Sequence, residues 1–115
     1  MANDVILYRT DDGESAIELH LDNGTVWLTQ QELAELFQTS KQNISKHIKA
    51  IFDDGELVEE ATVNYKLTVQ KEGIRDVRRQ LDYYNLDMII SVGYRIKSII
   101  ATKFRIWATQ RLKEY

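Results

Sequence analysis

The stretch TQQELAELFQTSKQNISKHIKAIFDD, residues 29–54, decides the fold. Thr29 is a helix-capping residue and Glu32 follows three positions later, the spacing of a capping box in which each satisfies a free backbone donor of the other's turn. The helix this opens runs Gln30 to Phe37, with Leu33, Ala34, Leu36 and Phe37 on its apolar side. Thr39-Ser40 interrupts, and either hydroxyl can cap a second helix from Lys41 to about Phe52. In that helix Ile44, Ile48, Ile51 and Phe52 fall at i, i+4, i+7 and i+8, a single buried face. Asp53-Asp54-Gly55 ends it. Two short helices joined by a tight turn have the layout of a helix-turn-helix. Ala34 is small where the helices cross, and Ile44 is the aliphatic anchor ten residues later. One position departs from the usual pattern: Gln38 stands where the turn favours Gly.

Upstream, residues 5–9 (VILYR) and 16–21 (AIELHL) read as strands, the second alternating Ile17, Leu19 and Leu21 with polar neighbours. Asp11-Asp12-Gly13 and Asp22-Asn23-Gly24 are turn sequences, and Thr25-Val26-Trp27-Leu28 is a third strand, so residues 1–28 read as a small β-meander. Downstream, residues 61–70 and 74–84 read as a strand pair with Lys71-Glu72-Gly73 at its tip. Asn85 caps a helix over Leu86–Gly93, which Gly93 is expected to end. A last helix covers about Ile99–Tyr115, with Ile99, Ile100, Phe104, Trp107, Ala108 and Leu112 as its buried stripe. The expected fold class is α+β: a small β-meander, a helix-turn-helix with a β-hairpin wing, and two C-terminal helices.

The chain has 115 residues, a length suited to one domain, and 43% hydrophobic with 29% charged residues is a globular composition. With no Cys, disulfides, thiolate metal sites and thiol nucleophiles are excluded. No apolar run approaches the roughly 20 residues that span a bilayer, and the N-terminus lacks the pattern of a signal peptide. A cytoplasmic location without membrane contact is therefore expected. His20 and His47 lie on different elements with no ligand spacing, and the isolated glycines form no phosphate loop. No metal, cofactor or enzymatic activity is expected. A carboxylate cluster at Asp53, Asp54, Glu56, Glu59 and Glu60 reads as a solvated loop at a helix end.

The net charge of −3 conceals a pattern. Residues 1–28 carry six acids and one base, and residues 52–60 carry five acids and no base. Residues 38–51 carry Lys41, Lys46 and Lys49 and no acid, and residues 61–115 carry eleven bases against five acids. The local field, not the total, governs attraction to a polyanion.

With Ile44 and Ile48 inside, the outer side of the second helix presents Lys41, Gln42, Asn43, Ser45, Lys46, His47 and Lys49. Gln and Asn amides suit adenine edges, and Lys reaches guanine or phosphate. Lys41, Gln42, Asn43, Ser45 and Lys46 are expected in the major groove, with Lys49, Arg78 and Arg79 on phosphates. The acidic blocks are expected to face away from the DNA. The competing reading is an ordinary helical hairpin with a solvated basic side, or edge-strand charge that prevents pairing between sheets.

Two stretches carry a family resemblance: VWLTQQELAELFQTSKQNISKHIKAIFDDGEL, residues 26–57, and YYNLDMIISVGYRIKS…ATKFRIWATQRLKEY, residues 83–115. Together they resemble the N-terminal domain of the bacterial virulence RhuM family. The arrangement is also similar to the BRO-N domain of phage antirepressors, whose late aromatic helix FRIWATQRL, residues 104–112, resembles. The resemblance implies a winged-helix-like DNA-binding domain that precedes a further C-terminal region, in some relatives a Fic-type domain. Ile99-Ile100-Ala101 is more apolar than the family's usual pattern, which implies a packing difference or an oligomer contact. Residues 1–115 are thus expected to form one winged helix-turn-helix-like domain, the N-terminal module of a longer protein. Its expected function is sequence-specific double-stranded DNA binding in transcriptional regulation, with a homodimer and a C-terminal effector domain as further partners. The alternative is a protein-interaction or dimerisation module without direct DNA contact.

Overall fold

The computed structural model describes residues 5–10, 16–22 and 24–111, and of these the side chains of 65–72 and of Arg79 lie outside the description. Among the described residues the elements run β1 (Val5–Arg9), β2 (Ala16–Asp22), β3 (Thr25–Thr29), α1 (Gln30–Phe37), α2 (Lys41–Asp53), α3 (Glu59–Thr62), β4 (Val63–Glu72), β5 (Arg75–Asn85), α4 (Leu86–Ile96) and α5 (Ile99–Arg111). The fold is α+β and winged-helix-like. The meander and the wing, which the sequence presents as separate units, join in one antiparallel sheet of order β1-β2-β3-β5-β4. The seam is short: Trp27, Leu28 and Thr29 of β3 pair with Asn85, Tyr84 and Tyr83 of β5. β4 and β5 then run on as a hairpin from Val63↔Tyr84 to Glu72↔Arg75.

Alternation sets which side of the sheet is covered. Ile6 and Tyr8 of β1, Ile17 and Leu19 of β2, and Val26 and Leu28 of β3 are buried, while Val5, Leu7 and Arg9 are exposed. Leu33, Leu36 and Phe37 of α1, Ile44, Ile48 and Ile51 of α2, and Met88, Ile89 and Val92 of α4 complete the core with Phe104 of α5. Phe104 is central: its ring meets Tyr8 edge-on at 5.2 Å and Phe37 at 6.1 Å, tying α5 to both β1 and α1. Burying one such side chain contributes about 1.5–3 kcal/mol.

The helix boundaries follow local chemistry. Thr29 Oγ1 accepts from the Glu32 amide at 3.2 Å, and the Thr29 amide donates to Glu32 Oε1 at 2.8 Å. Ser40, not Thr39, caps α2: its Oγ accepts from the Asn43 amide at 3.0 Å. α1 ends with Gln38 in the left-handed region (φ 54°, ψ 52°), where its amide and that of Thr39 satisfy the carbonyls of Glu35 and Ala34. α2 ends the same way on Gly55 (φ +72°), with Gly55 and Glu56 donating to Phe52 and Ile51.

Several expectations need correction. Gly93 does not end α4; it is buried inside it, and the helix continues to Ile96. The stop comes at Lys97, in the left-handed region at φ 53°. Gly93 faces α1 and α5: a Cβ there would sit 3.4 Å from Phe37 Cζ and 3.6 Å from Ala101 Cβ, ordinary contact distances. Ile99 does not belong to the buried stripe of α5, which is Ala101, Phe104 and Ala108; Ile99 begins the helix and is 73% exposed. Trp107 is half-buried rather than core, its ring 4.8 Å from that of Tyr8. The hairpin tip is Gly73-Ile74, because Lys71 and Glu72 pair within β4, and Gly73 supplies the positive φ of the tight turn. α3 was hidden in the acidic stretch. The Asp11-Asp12-Gly13 turn, Asn23 and Leu112 lie outside the described residues.

Candidate nucleic-acid interface

The outer side of α2 is fixed by what its inner side buries. Ile44, Ile48 and Ile51 face the core, which turns Gln42, Ser45, Lys46 and Lys49 outward at helical spacing, with Lys41 exposed at the N-terminal end. Over the first two turns this crest holds no acid. Asn43 and His47 lie on the flank and are half-buried. The Asn43 amide group donates to Thr39 Oγ1 at 3.0 Å, so this side chain braces the turn between the helices.

The far end of the crest differs from expectation. Lys49 donates to Asp53 Oδ2 at 2.8 Å, one turn along, and this bond raises the Lys49 pKa. Asp53 is exposed on the same crest as the lysines, so this part of the acidic block does not face away from them. Asp54 and Glu56, just beyond, take Arg95 of α4 at 2.8 and 3.6 Å. Burial, then the charges of Arg95 and Lys46, hold the His47 imidazole below its ordinary pKa. Sequence reasoning placed Asp53 in a solvated loop at the helix end and missed its pairing with Lys49, and it missed Arg95. The first was available in the i, i+4 spacing of Lys49 and Asp53; the second is a contact between distant segments and leaves no local signal.

On the hairpin side of α2 lies a recess of about 300 Å³ lined by Gln30, Ser45, Lys49, Asp53, Glu59 and Asp82, among others. Gln30 Nε2 donates to the Tyr84 hydroxyl at 3.1 Å, fixing α1 against β5. Along β5, Arg78, Gln80, Asp82 and Tyr84 share one strand parity, and Tyr84 faces the core. Arg78 is exposed and, by that parity, lies on the same side of the hairpin as Tyr84. Arg79 follows it in β5, opposite Thr68 of β4, and its side chain lies outside the described residues. Lys41, Gln42, Ser45, Lys46 and Lys49 thus come together; Arg78 belongs to a separate arm.

Among the described residues no group of three or more His, Cys, Asp or Glu side chains is arranged to hold a metal ion. No described helix is long and apolar enough to cross a membrane. Fold and crest together define a winged-helix-like α+β protein. Residues 61–115, from the end of α3 through β4, β5, α4 and α5, match the family described as Virulence protein RhuM family. The match takes in the second of the two stretches that carry the resemblance and leaves the first, with the helix-turn-helix, outside it. No curated protein and no solved structure matches the chain.

Proposed function

We propose that residues 1–115 act as one double-stranded DNA-binding module of a transcriptional regulator, with α2 in the major groove and the β4–β5 hairpin along the backbone. One observation carries this reading: Lys41, Gln42, Ser45 and Lys46 form an exposed, acid-free crest over the first two turns of a core-anchored helix. Gln42 offers an amide to a base edge, Lys46 reaches guanine or phosphate, and Lys41 reaches the backbone where α2 begins. Asn43 contributes by holding the turn and the first residues of α2 in register. Lys49 contacts phosphate by exchanging Asp53 for it, and Arg78 and Arg79 add affinity without sequence choice.

Selection of bound sequences from a random duplex pool at ~50 mM salt, followed by mobility shifts, tests the reading. The expected result is an enriched motif. Gln42→Ala should flatten one position of that motif, and Lys46→Ala should weaken binding to all sequences and lower the salt slope by about one. Absence of any DNA affinity at that salt would overturn the proposal.

A further inference from the structure

A second surface shares no lining residue with the α2 crest. Along the seam of α4 and α5 lie two adjoining hollows, about 510 and 400 Å³, which have Tyr94 and Arg105 in common. Leu86, Ile90, Ile106 and Ala108 line the larger; Lys97 and Ile99 line the smaller. The Arg105 guanidinium lies 4.2 Å over the Tyr94 ring, so apolar surface and positive charge meet at the middle of the groove. Tyr94 is 59% exposed, Ile106 54% and Ile99 73%, so three large apolar side chains stand open along one seam. The hollows follow α4 from Leu86 to its C-cap Lys97, about 16 Å at the helical rise, which is three turns of a partner helix.

Charge selects the occupant. Residues 86–111 carry five bases, Arg95, Lys97, Lys103, Arg105 and Arg111, against Asp87 as the one acid. Arg95 is engaged by Asp54 and Glu56, whereas Lys97 and Arg105 line the groove itself. A second copy docking the same patch by two-fold symmetry would bring two copies of one net-positive surface together. Duplex DNA gains little from an apolar floor. A helix with apolar anchors on one side and carboxylates on its flanks matches both the floor and the rim.

We propose that the α4–α5 groove is a docking site for an acidic amphipathic helix of a protein partner. The probe is a fluorescent helical peptide of about four turns, with leucines at i, i+3, i+4 and i+7 and glutamates at the flanking positions. Its twin carries lysines instead of glutamates. The 115-residue chain should bind the glutamate peptide saturably and at least about tenfold more tightly than the lysine twin at low salt. Arg105→Glu should reverse the preference. Ile106→Asp and Tyr94→Ser should each weaken the glutamate peptide by about tenfold or more, with unchanged circular dichroism and unchanged behaviour toward DNA. Equal binding of the twins, no binding, or binding indifferent to both groove variants overturns the proposal. So does sedimentation showing a dimer that Ile106→Asp abolishes, or adsorption to anionic vesicles that the peptide fails to displace.

Discussion

Lys49 and Asp53 stand one turn apart on the exposed crest of α2, their charged atoms 2.8 Å apart. Both are solvent-facing, so the pair adds little to folding. Its consequence lies in binding: the one carboxylate on a lysine-bearing crest occupies an ammonium and repels phosphate. Asp53→Asn should therefore strengthen DNA binding by about threefold to tenfold at low salt and steepen the salt slope by about one, as Lys49 becomes available. Fluorescence anisotropy over a salt series measures both quantities. If the unmodified chain binds DNA and Asp53→Asn leaves slope and affinity unchanged, Lys49 is not at the interface. The melting temperature should barely move.

Gly93 is a helix-interior glycine packed between α1 and α5, with room for a methyl group but not for a larger side chain. A methyl group there would reach Phe37 at 3.4 Å and Ala101 at 3.6 Å, within ordinary van der Waals contact. Gly inside a helix costs about 1 kcal/mol relative to Ala. Gly93→Ala should thus be neutral or raise stability by up to about 1 kcal/mol, whereas Gly93→Leu should lower it by about 1–3 kcal/mol because Phe37 and Ala101 must move. Urea denaturation of the two variants decides. A large loss in Gly93→Ala contradicts the packing described for α1, α4 and α5.

What the sequence disclosed and what it withheld divide along the range of the interactions. The Thr29–Glu32 capping box, the Ile44–Ile48 spacing and the Asn85 cap are each written within a few residues, and each is where the sequence places it. The union of meander and wing rests on Trp27 pairing with Asn85, which no local pattern announces. Gly93 misleads for the same reason: its neighbours Phe37 and Ala101 belong to other helices, and a glycine late in an apolar run reads as a stop. In the site, the exposed crest Gln42, Ser45, Lys46 and Lys49 follows from periodicity once the inner face is known. The half-burial of Asn43 and His47 on its flank is not given by that periodicity.

Gln38 and Lys97 adopt positive φ without being glycine, at 54° and 53°. Each closes a helix whose terminal carbonyls would otherwise lack donors. The left-handed region costs a residue with a Cβ about 1–2 kcal/mol, and part of that is returned because glycine loses more chain freedom on folding. Gln38→Gly should accordingly raise stability by about 0.5–1 kcal/mol, seen as a higher thermal midpoint. Gln38→Val, whose branched Cβ tolerates positive φ least, should lower it. The opposite order of the two variants would mean that the turn between α1 and α2 is not left-handed at this position.

His47 offers a pH test of the flank of α2. Its ordinary pKa is 6.5, and burial, Arg95 and Lys46 lower it in the fold. Among the groups held around this flank, Asp54 and Glu56 already take Arg95, and the net effect on the imidazole remains a lowering. As pH falls below 6.5 the unfolded chain takes a proton that the folded chain resists. The unfolded state binds more protons in this window, so stability falls with falling pH from about 6.5 until the lowered folded value is passed, and is level below it. His47→Gln cannot take the proton, so the unmodified chain should lose stability relative to this variant between about pH 7 and pH 5. Thermal melts of both across that range give the difference directly. A difference that stays constant with pH, or that grows in favour of the histidine as pH falls, would show that the imidazole is not held beside Arg95 and Lys46 in this way.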